Sequence, residues 1–166
     1  MADYVDVNKN YSIFAIPAAV ILGLLPIVYG RRAALKLKLF DNKNPRGFQE
    51  AVKSSQKIDQ ATKDRLLRCE AASANAQETL PLFGLAVVAA SAAGVAPATV
   101  NGLAAAYLAS RAAYNLIYVW LQGSGGRAVA SARSLSWFVG VGCWMTLFVK
   151  AGFGFLEGPG AGAAKL

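Results

Sequence analysis

Three polar residues interrupt an apolar block in the middle of the chain, and their spacing places them close together on a helix. Arg68 and Asn75 are seven residues apart, which is within about 20° of eclipse around an α-helix; Glu78 lies three residues further, on a neighbouring face. Ionisable groups inside a membrane helix are costly and therefore mark candidate functional sites. Two interpretations fit this set: a hydrogen-bond network between helices, or a cavity that holds a ligand.

A second set combines three phenols with one guanidinium on a segment that is otherwise mostly Ala, Leu and Ile. It consists of Tyr107, Arg111, Tyr114 and Tyr118. Their spacing brings all four side chains within about 60° of each other around a helix. An interfacial aromatic belt explains Tyr107 or Tyr118 alone, but Arg111 lies too deep in the segment for that position. We expect Arg111 to pair with Glu78 or with another buried acceptor.

Arginines also lie at the ends of the apolar blocks. Arg31 and Arg32 follow the first block, and Arg127 and Arg133 precede the last one. Each of them alone is typical of a topology signal. Together they would surround a pocket with positive charge, which suits a ligand with carboxylates because guanidinium groups bind carboxylates in bidentate geometry.

The composition excludes several enzyme classes and favours a membrane protein. The chain has no His and two Cys, so we expect no Ser-His-Asp triad, no disulfide framework and no metal site. Charged residues make up 16% of the 166 residues, against about 25% in soluble domains. Hydrophobic residues make up 55%, and the mean hydropathy is +0.39. These values argue against a soluble enzyme.

The net charge of +8 is concentrated in one segment. Residues 31–68 contain eleven basic and four acidic residues, which accounts for +7 of the total. A basic segment between two apolar blocks is typical of a cytoplasmic loop under the positive-inside rule. We therefore expect a membrane topology signal and no nucleic-acid partner.

Four apolar stretches predict four membrane spans within a single domain, residues 1–166. The predicted spans are about 11–30, 66–94, 98–122 and 131–156, with a cytoplasmic loop at 31–65 and a disordered Gly/Ala-rich tail at 157–166. Basic loops after the first and third spans place both termini on the lumenal side. The expected fold class is all-α, an integral membrane four-helix bundle.

The segment RLLRCEAASANAQETLPLF resembles the second-span signature of the MAPEG family, the membrane-associated proteins in eicosanoid and glutathione metabolism. The family places Asn, Glu, Pro and Phe at the spacing seen here in Asn75, Glu78, Pro81 and Phe83. The resemblance covers nearly the whole chain, including the number of spans and the loop lengths.

Other segments resemble the same family. Arg111 with the two tyrosines after it is similar to the third-span pattern, and Arg31-Arg32 is similar to the end of the first span in leukotriene-synthesising members. Arg127 falls where a prostaglandin-synthesising member has a catalytic Arg.

The resemblance implies a homotrimer that binds glutathione between neighbouring subunits, in the cytoplasmic half of the membrane. Asn75 and Glu78 would contact its polar backbone and amino end, and arginines would hold its carboxylates and lower the pKa of its thiol. The implied catalytic residues are Arg127, Arg31, Glu78 and Tyr118. The implied cofactor-binding residues are Arg68, Asn75, Glu78, Arg111, Tyr114, Tyr118 and Arg32.

One departure from the family pattern weakens the expected glutathione site. The family usually has Arg four residues before the Asn, where this chain has Ala71. Arg68 lies nearby, with its Cα about 4.5 Å further along the helix, and we hypothesise that it replaces the missing guanidinium. Glu78 is retained, which favours an enzyme over the family's non-enzymatic member that presents fatty acid.

The implied function is a membrane-bound glutathione-dependent transferase or peroxidase that attacks a lipophilic electrophile through a glutathione thiolate. Two alternatives stay open: a glutathione-independent isomerase or cyclase of a lipophilic metabolite, with Glu78, Arg111 and the tyrosines as acid/base groups, or a non-catalytic lipid-presenting membrane protein. The expected partners are further copies of the chain, the bilayer and a lipophilic small molecule. The expected location is the endoplasmic reticulum membrane; the C-terminal Ala-Lys-Leu leaves the peroxisomal membrane as an alternative.

Overall fold

A computed structural model describes residue 6 and residues 8–158, and the predicted all-α class is confirmed for them, since none of these residues is in a strand. The α-helices are α1 Ala15–Lys36, α2 Phe48–Ser54, α3 Gln60–Ala92, α4 Pro97–Leu116 and α5 Arg127–Glu157. Short 3-10 turns at Ser12–Phe14 and Pro45–Gly47 precede α1 and α2, and a π-helical turn, Ile117–Leu121, follows α4.

The helix ends differ from the predicted span ends. Helix α1 continues through the two arginines to Lys36, and α3 begins at Gln60, so the predicted loop at 31–65 is shorter and also contains α2. Helix α5 begins at Arg127 instead of residue 131. The reason is that Lys, Arg, Gln and Glu are good helix formers, so backbone hydrogen bonds continue past the end of an apolar run.

Local backbone and side-chain features determine where individual helices begin and end. Lys38 adopts a positive φ of 56°, which ends the turn after α1. The Asp59 carboxylate accepts a hydrogen bond of 2.8 Å from the Thr62 backbone N–H and so caps α3. Helix α5 ends at Glu157, where the predicted tail begins, and the rest of that tail, including Ala-Lys-Leu, lies beyond the described residues.

The four long helices pack side by side, α1 against α3 and α4, and α5 against α3 and α4. Helices α1 and α3 run antiparallel, with Gly23 opposite Ala76 and Gly30 opposite Cys69. A Cβ on either glycine would stand less than 3.0 Å from the Cβ of the facing residue, so the absence of a side chain permits this close approach. We call the end where α1 finishes and α3 begins the basic end.

Two helical segments are long and apolar enough to cross a membrane by length and composition: Ser12–Lys36 and Arg127–Glu157. Helices α3 and α4 do not meet that criterion, because α3 carries charged and amide side chains and α4 is rich in Ala, with Asn101, Arg111 and Asn115. Large apolar side chains lie exposed on the outer faces, as on a surface covered by lipid. Two membrane helices are thus supported, and four spans remain a prediction.

Candidate functional site

Helices α3, α4 and α5 meet at a pocket of about 270 Å³ that contains several of the predicted site residues. Asn75 of α3 faces Tyr114 and Tyr118, and the other wall belongs to α5. The lining residues are Asn75, Tyr114, Tyr118, Arg133, Ser134, Trp137 and Phe138. The spacing predicted the convergence of the two tyrosines, whereas their meeting with α5 depends on the helix packing.

Arg111 anchors α4 to α5 at the base of this arrangement. Its guanidinium donates hydrogen bonds to the backbone oxygens of Ser136, at 3.2 Å, and Trp137, at 3.0 Å. It also lies between the rings of Tyr107 and Tyr114, 5.5 and 5.3 Å from their centroids. Its acceptors are therefore carbonyls of α5 and not the carboxylate of Glu78.

Gly140 makes room for this anchor. A Cβ at Gly140 would lie 2.7 Å from Nη2 of Arg111 and 2.8 Å from the Ser110 hydroxyl. Arg111 is only 5% exposed and its hydrogen bonds go to the protein backbone. Its position indicates that it holds α4 and α5 together beside the pocket.

The π-helical turn Ile117–Leu121 carries Tyr118 into the pocket. The rings of Tyr114 and Tyr118 are tilted against each other, with centroids 5.6 Å apart. A π turn interrupts the regular helical repeat and is frequent at functional sites. Here it changes the helical register directly after α4, at Tyr118, whose side chain lines the pocket.

Arg133 supplies the positive charge of the pocket. Its Cζ lies 4.9 Å from the centroid of the Tyr118 ring, within the range of a cation–π contact. The predicted catalytic residue Arg127 is exposed at the first position of α5 and does not line the pocket. It precedes Arg133 by six residues, or about 9 Å along the helix axis. Among the described residues, no acidic side chain lines the pocket with Arg133.

The two conspicuous polar residues of α3 have different surroundings. Asn75 is half-buried, and its side-chain nitrogen makes one long hydrogen bond of 3.5 Å to the Ala71 carbonyl. Glu78 is exposed and has neither a hydrogen bond nor an ion pair within the described part of the chain. Buried Thr79, the residue after Glu78, contacts the Tyr107 hydroxyl at 3.3 Å. Only Asn75 of this pair lines the pocket.

The remaining predicted arginines lie near the basic end and do not line the pocket. The guanidinium of Arg68 lies against Gly123, where a Cβ would stand 3.0 Å from Nη2. Arg31 lies over the Phe40 ring, 5.3 Å from its centroid, and Arg32 is exposed. Within the single chain, the structure does not bring these three residues to Asn75 and the tyrosines.

Of the four α5 residues that line the pocket, Arg133 and Trp137 carry polar groups on long side chains. Arg133 belonged to the predicted arginine clusters only as a charge at a helix end, and Trp137 was not predicted. They are four residues apart, so they share one face of a helix. That i, i+4 pair is the only sequence signal available for them, and it does not by itself indicate which neighbour they face.

These features define an all-helical protein with membrane-type helices and a cationic, phenol-lined pocket between three of them. The sequence matches the MAPEG family over residues 12–153, and the chain belongs to that family. The predicted resemblance is thereby confirmed. Neither a curated protein nor a solved structure matches the chain.

Proposed function

We propose that this protein is a membrane-bound glutathione-dependent transferase or peroxidase that acts on a lipophilic electrophile. Its family is associated with glutathione-related transferases and isomerases of membranes. The observation that carries the proposal is the pocket in which Asn75, Tyr114, Tyr118 and Arg133 converge.

The donors of this pocket fit a polar, anionic ligand such as glutathione. The guanidinium of Arg133 can bind a carboxylate or a thiolate, and the amide of Asn75 can donate to one peptide group and accept from another. The phenols of Tyr114 and Tyr118 form no hydrogen bond to other described residues and are available to a ligand. These groups match the two carboxylates and two peptide groups of the tripeptide in kind.

Bound glutathione supplies a thiol that is a nucleophile in its thiolate form. Arg133 holds a positive charge beside Tyr118 and stabilises an anion at that position. Tyr118, which lies in the π turn and lines the same pocket, offers its hydroxyl as a second donor for this anion. Arg111 maintains the distance between α4 and α5 through its two carbonyl contacts. The chain therefore needs neither His nor a catalytic Cys of its own.

We further propose that the four long helices cross the endoplasmic reticulum membrane and that three copies assemble around the pockets. Glu78 is exposed three residues beyond Asn75, so a neighbouring subunit can approach both residues. Arg31, Arg32 and Arg127, which lie outside the pocket in one protomer, are then candidates to reach it from a neighbour or from the loop before α5. The predicted roles of these three arginines in glutathione binding and activation therefore require the assembled trimer.

Ala71 favours a second candidate, a glutathione-independent isomerase or cyclase on the same scaffold. The Ala71 carbonyl accepts a hydrogen bond from the side-chain amide of Asn75, so Ala71 lies one helical turn before this pocket-lining residue. At that position Ala71 offers no guanidinium to a carboxylate of glutathione. The free phenols of Tyr114 and Tyr118 would then serve as acid/base groups towards a lipophilic metabolite.

The deciding experiment is a calorimetric titration of the detergent-purified protein with glutathione, followed in parallel by thiolate absorbance. Binding with thiolate formation supports the transferase, and its loss in Arg133→Gln but not in Arg46→Gln assigns it to this pocket. Arg46 is an exposed arginine outside the pocket and serves as the matched control. Absence of binding at millimolar glutathione overturns the proposal and leaves the isomerase or a lipid-presenting protein.

A further inference from the structure

A second pocket, about 380 Å³ in volume, lies between α1 and α4 and shares no residue with the candidate site. Its walls are apolar: Leu25 is 54% exposed and Leu116 57% exposed along it. The one amide in its lining, Asn115, donates its hydrogen bond to the Leu22 carbonyl and so is already occupied. The lining residues are Leu22, Leu25, Pro26, Tyr29, Ala112, Asn115, Leu116, Val119 and Trp120. This groove is open to the surface that lipid would cover.

Two aromatic residues close the groove towards the basic end. Tyr29 of α1 and Trp120 of the π turn pack with ring centroids 4.9 Å apart and planes tilted by 57°. Tyr and Trp favour the level of the lipid headgroups because their rings are apolar while one atom remains polar. The groove therefore runs from the apolar middle of the helices to an aromatic pair at the headgroup level.

An unpaired guanidinium lies at the same end. The Cζ of Arg65 is 5.3 Å from the centroid of the Trp120 ring, and its Nε is buried without a hydrogen-bond partner in the described structure. Arg32 lies three residues after Tyr29 and continues the groove-lining side of α1 by one more turn. The headgroup end of the groove thus carries positive charge and, within the described residues, no acid that lines it.

We propose that this groove binds an anionic phospholipid, with one acyl chain along α1 and α4 and the phosphate at Arg65. An apolar channel that ends in an aromatic pair and a guanidinium matches the order of chemical groups in such a lipid. Basic pockets between membrane helices bind anionic headgroups, and the charge excess in residues 31–68 attracts the same lipids to this end.

The test uses Trp120 as the reporter. The sequence has three tryptophans, so the Trp137→Phe, Trp144→Phe variant leaves Trp120 alone. The full chain is reconstituted in mixed vesicles of phosphatidylcholine and phosphatidylglycerol in which either lipid carries bromine, a quencher of tryptophan fluorescence. The apparent affinity of brominated phosphatidylglycerol for Trp120 should exceed that of brominated phosphatidylcholine by about fivefold.

The Arg65→Gln change should abolish this preference, and Arg46→Gln, which removes an exposed arginine of the same segment, should leave it intact. Equal quenching by both lipids, or equal effects of the two variants, overturns the proposal. Protection of Trp120 from both lipids would show that another copy of the chain occupies the groove and would overturn it as well. If the variant with one tryptophan does not fold, native mass spectrometry of the unmodified protein and of Arg65→Gln measures retained phosphatidylglycerol directly.

Discussion

The side-chain amide of Asn115 on α4 donates a hydrogen bond of 2.8 Å to the backbone oxygen of Leu22 on α1. Pro26, four residues after Leu22, has no N–H and therefore cannot supply the usual helical donor to that oxygen. In a membrane helix, a carbonyl freed by proline requires another donor, since lipid offers none. Asn115 thus compensates for Pro26 and joins α1 to α4.

Replacement of Asn115 by Leu should destabilise the protein by about 1 kcal/mol, because the Leu22 oxygen loses its donor. In a Pro26→Ala background the same replacement should cost much less, since residue 26 then donates to Leu22. The four proteins form a double-mutant cycle, measured by thermal unfolding in detergent. Equal costs in both backgrounds would contradict the compensation.

Gly140→Ala should destabilise the contact between α4 and α5. The new Cβ would come within 3.0 Å of the Arg111 guanidinium, whose hydrogen bonds and flanking rings leave it little freedom to move. We expect a loss of about 1–3 kcal/mol in the free energy of unfolding. Gly142→Ala is the matched control, because a Cβ there meets no atom within 4 Å. Similar thermal stability of the two variants would be incompatible with this role.

Arg133→Gln should weaken glutathione binding about tenfold or more, because a charge-assisted hydrogen bond is lost from the pocket. Arg127→Gln, at the exposed start of the same helix, should have a smaller effect on the dissociation constant. Calorimetry measures the glutathione dissociation constants of both variants, and thiolate absorbance shows whether each still ionises the thiol. If Arg127→Gln is the more damaging change, Arg127 takes the predicted catalytic role, reached from a neighbouring subunit or by movement of the start of α5.

Arg68→Ala tests whether this residue replaces the arginine that the family has at the position of Ala71. If it does, the apparent glutathione KM should rise several-fold, and an unchanged KM would reject the replacement. Ala71→Arg should have the opposite effect, since it restores a guanidinium one turn before Asn75. Arg46→Ala, which removes an exposed arginine from the loop, controls for the change in net charge.

The cap of α3 should depend on pH. The hydrogen bonds from the Thr62 side chain and backbone N–H lower the pKa of Asp59 below its usual value. The stabilisation is therefore present above the unfolded-state pKa, about 3.9, and is lost as pH falls through the lower folded-state value. Hydrogen exchange at the first turn of α3 should speed up over that range relative to Asp59→Asn, which caps without titrating. An identical pH response in both proteins would exclude the carboxylate.

Several features of this protein follow from the sequence alone. The apolar runs indicate the long helices, and the spacing of Tyr107, Arg111 and Tyr114 predicts an inward stripe, which the structure buries. The Asn75-to-Phe83 pattern indicates the family, which the match over residues 12–153 confirms. These features are accessible because helical periodicity is set by local backbone geometry and repeats every 3.6 residues whatever the helix packs against.

The tertiary structure decided the contacts between helices. It gave Arg111 two carbonyls of α5 in place of Glu78, left Glu78 exposed, and brought Arg133 and not Arg127 to Tyr118. Helix ends also differ from the predicted spans, since hydrogen bonding continues where hydrophobicity stops. Spacing along one helix specifies the direction of a side chain, but its partner depends on the rotation and depth at which the neighbouring helix packs. Close approaches at glycines such as Gly23 and Gly140 set those quantities here.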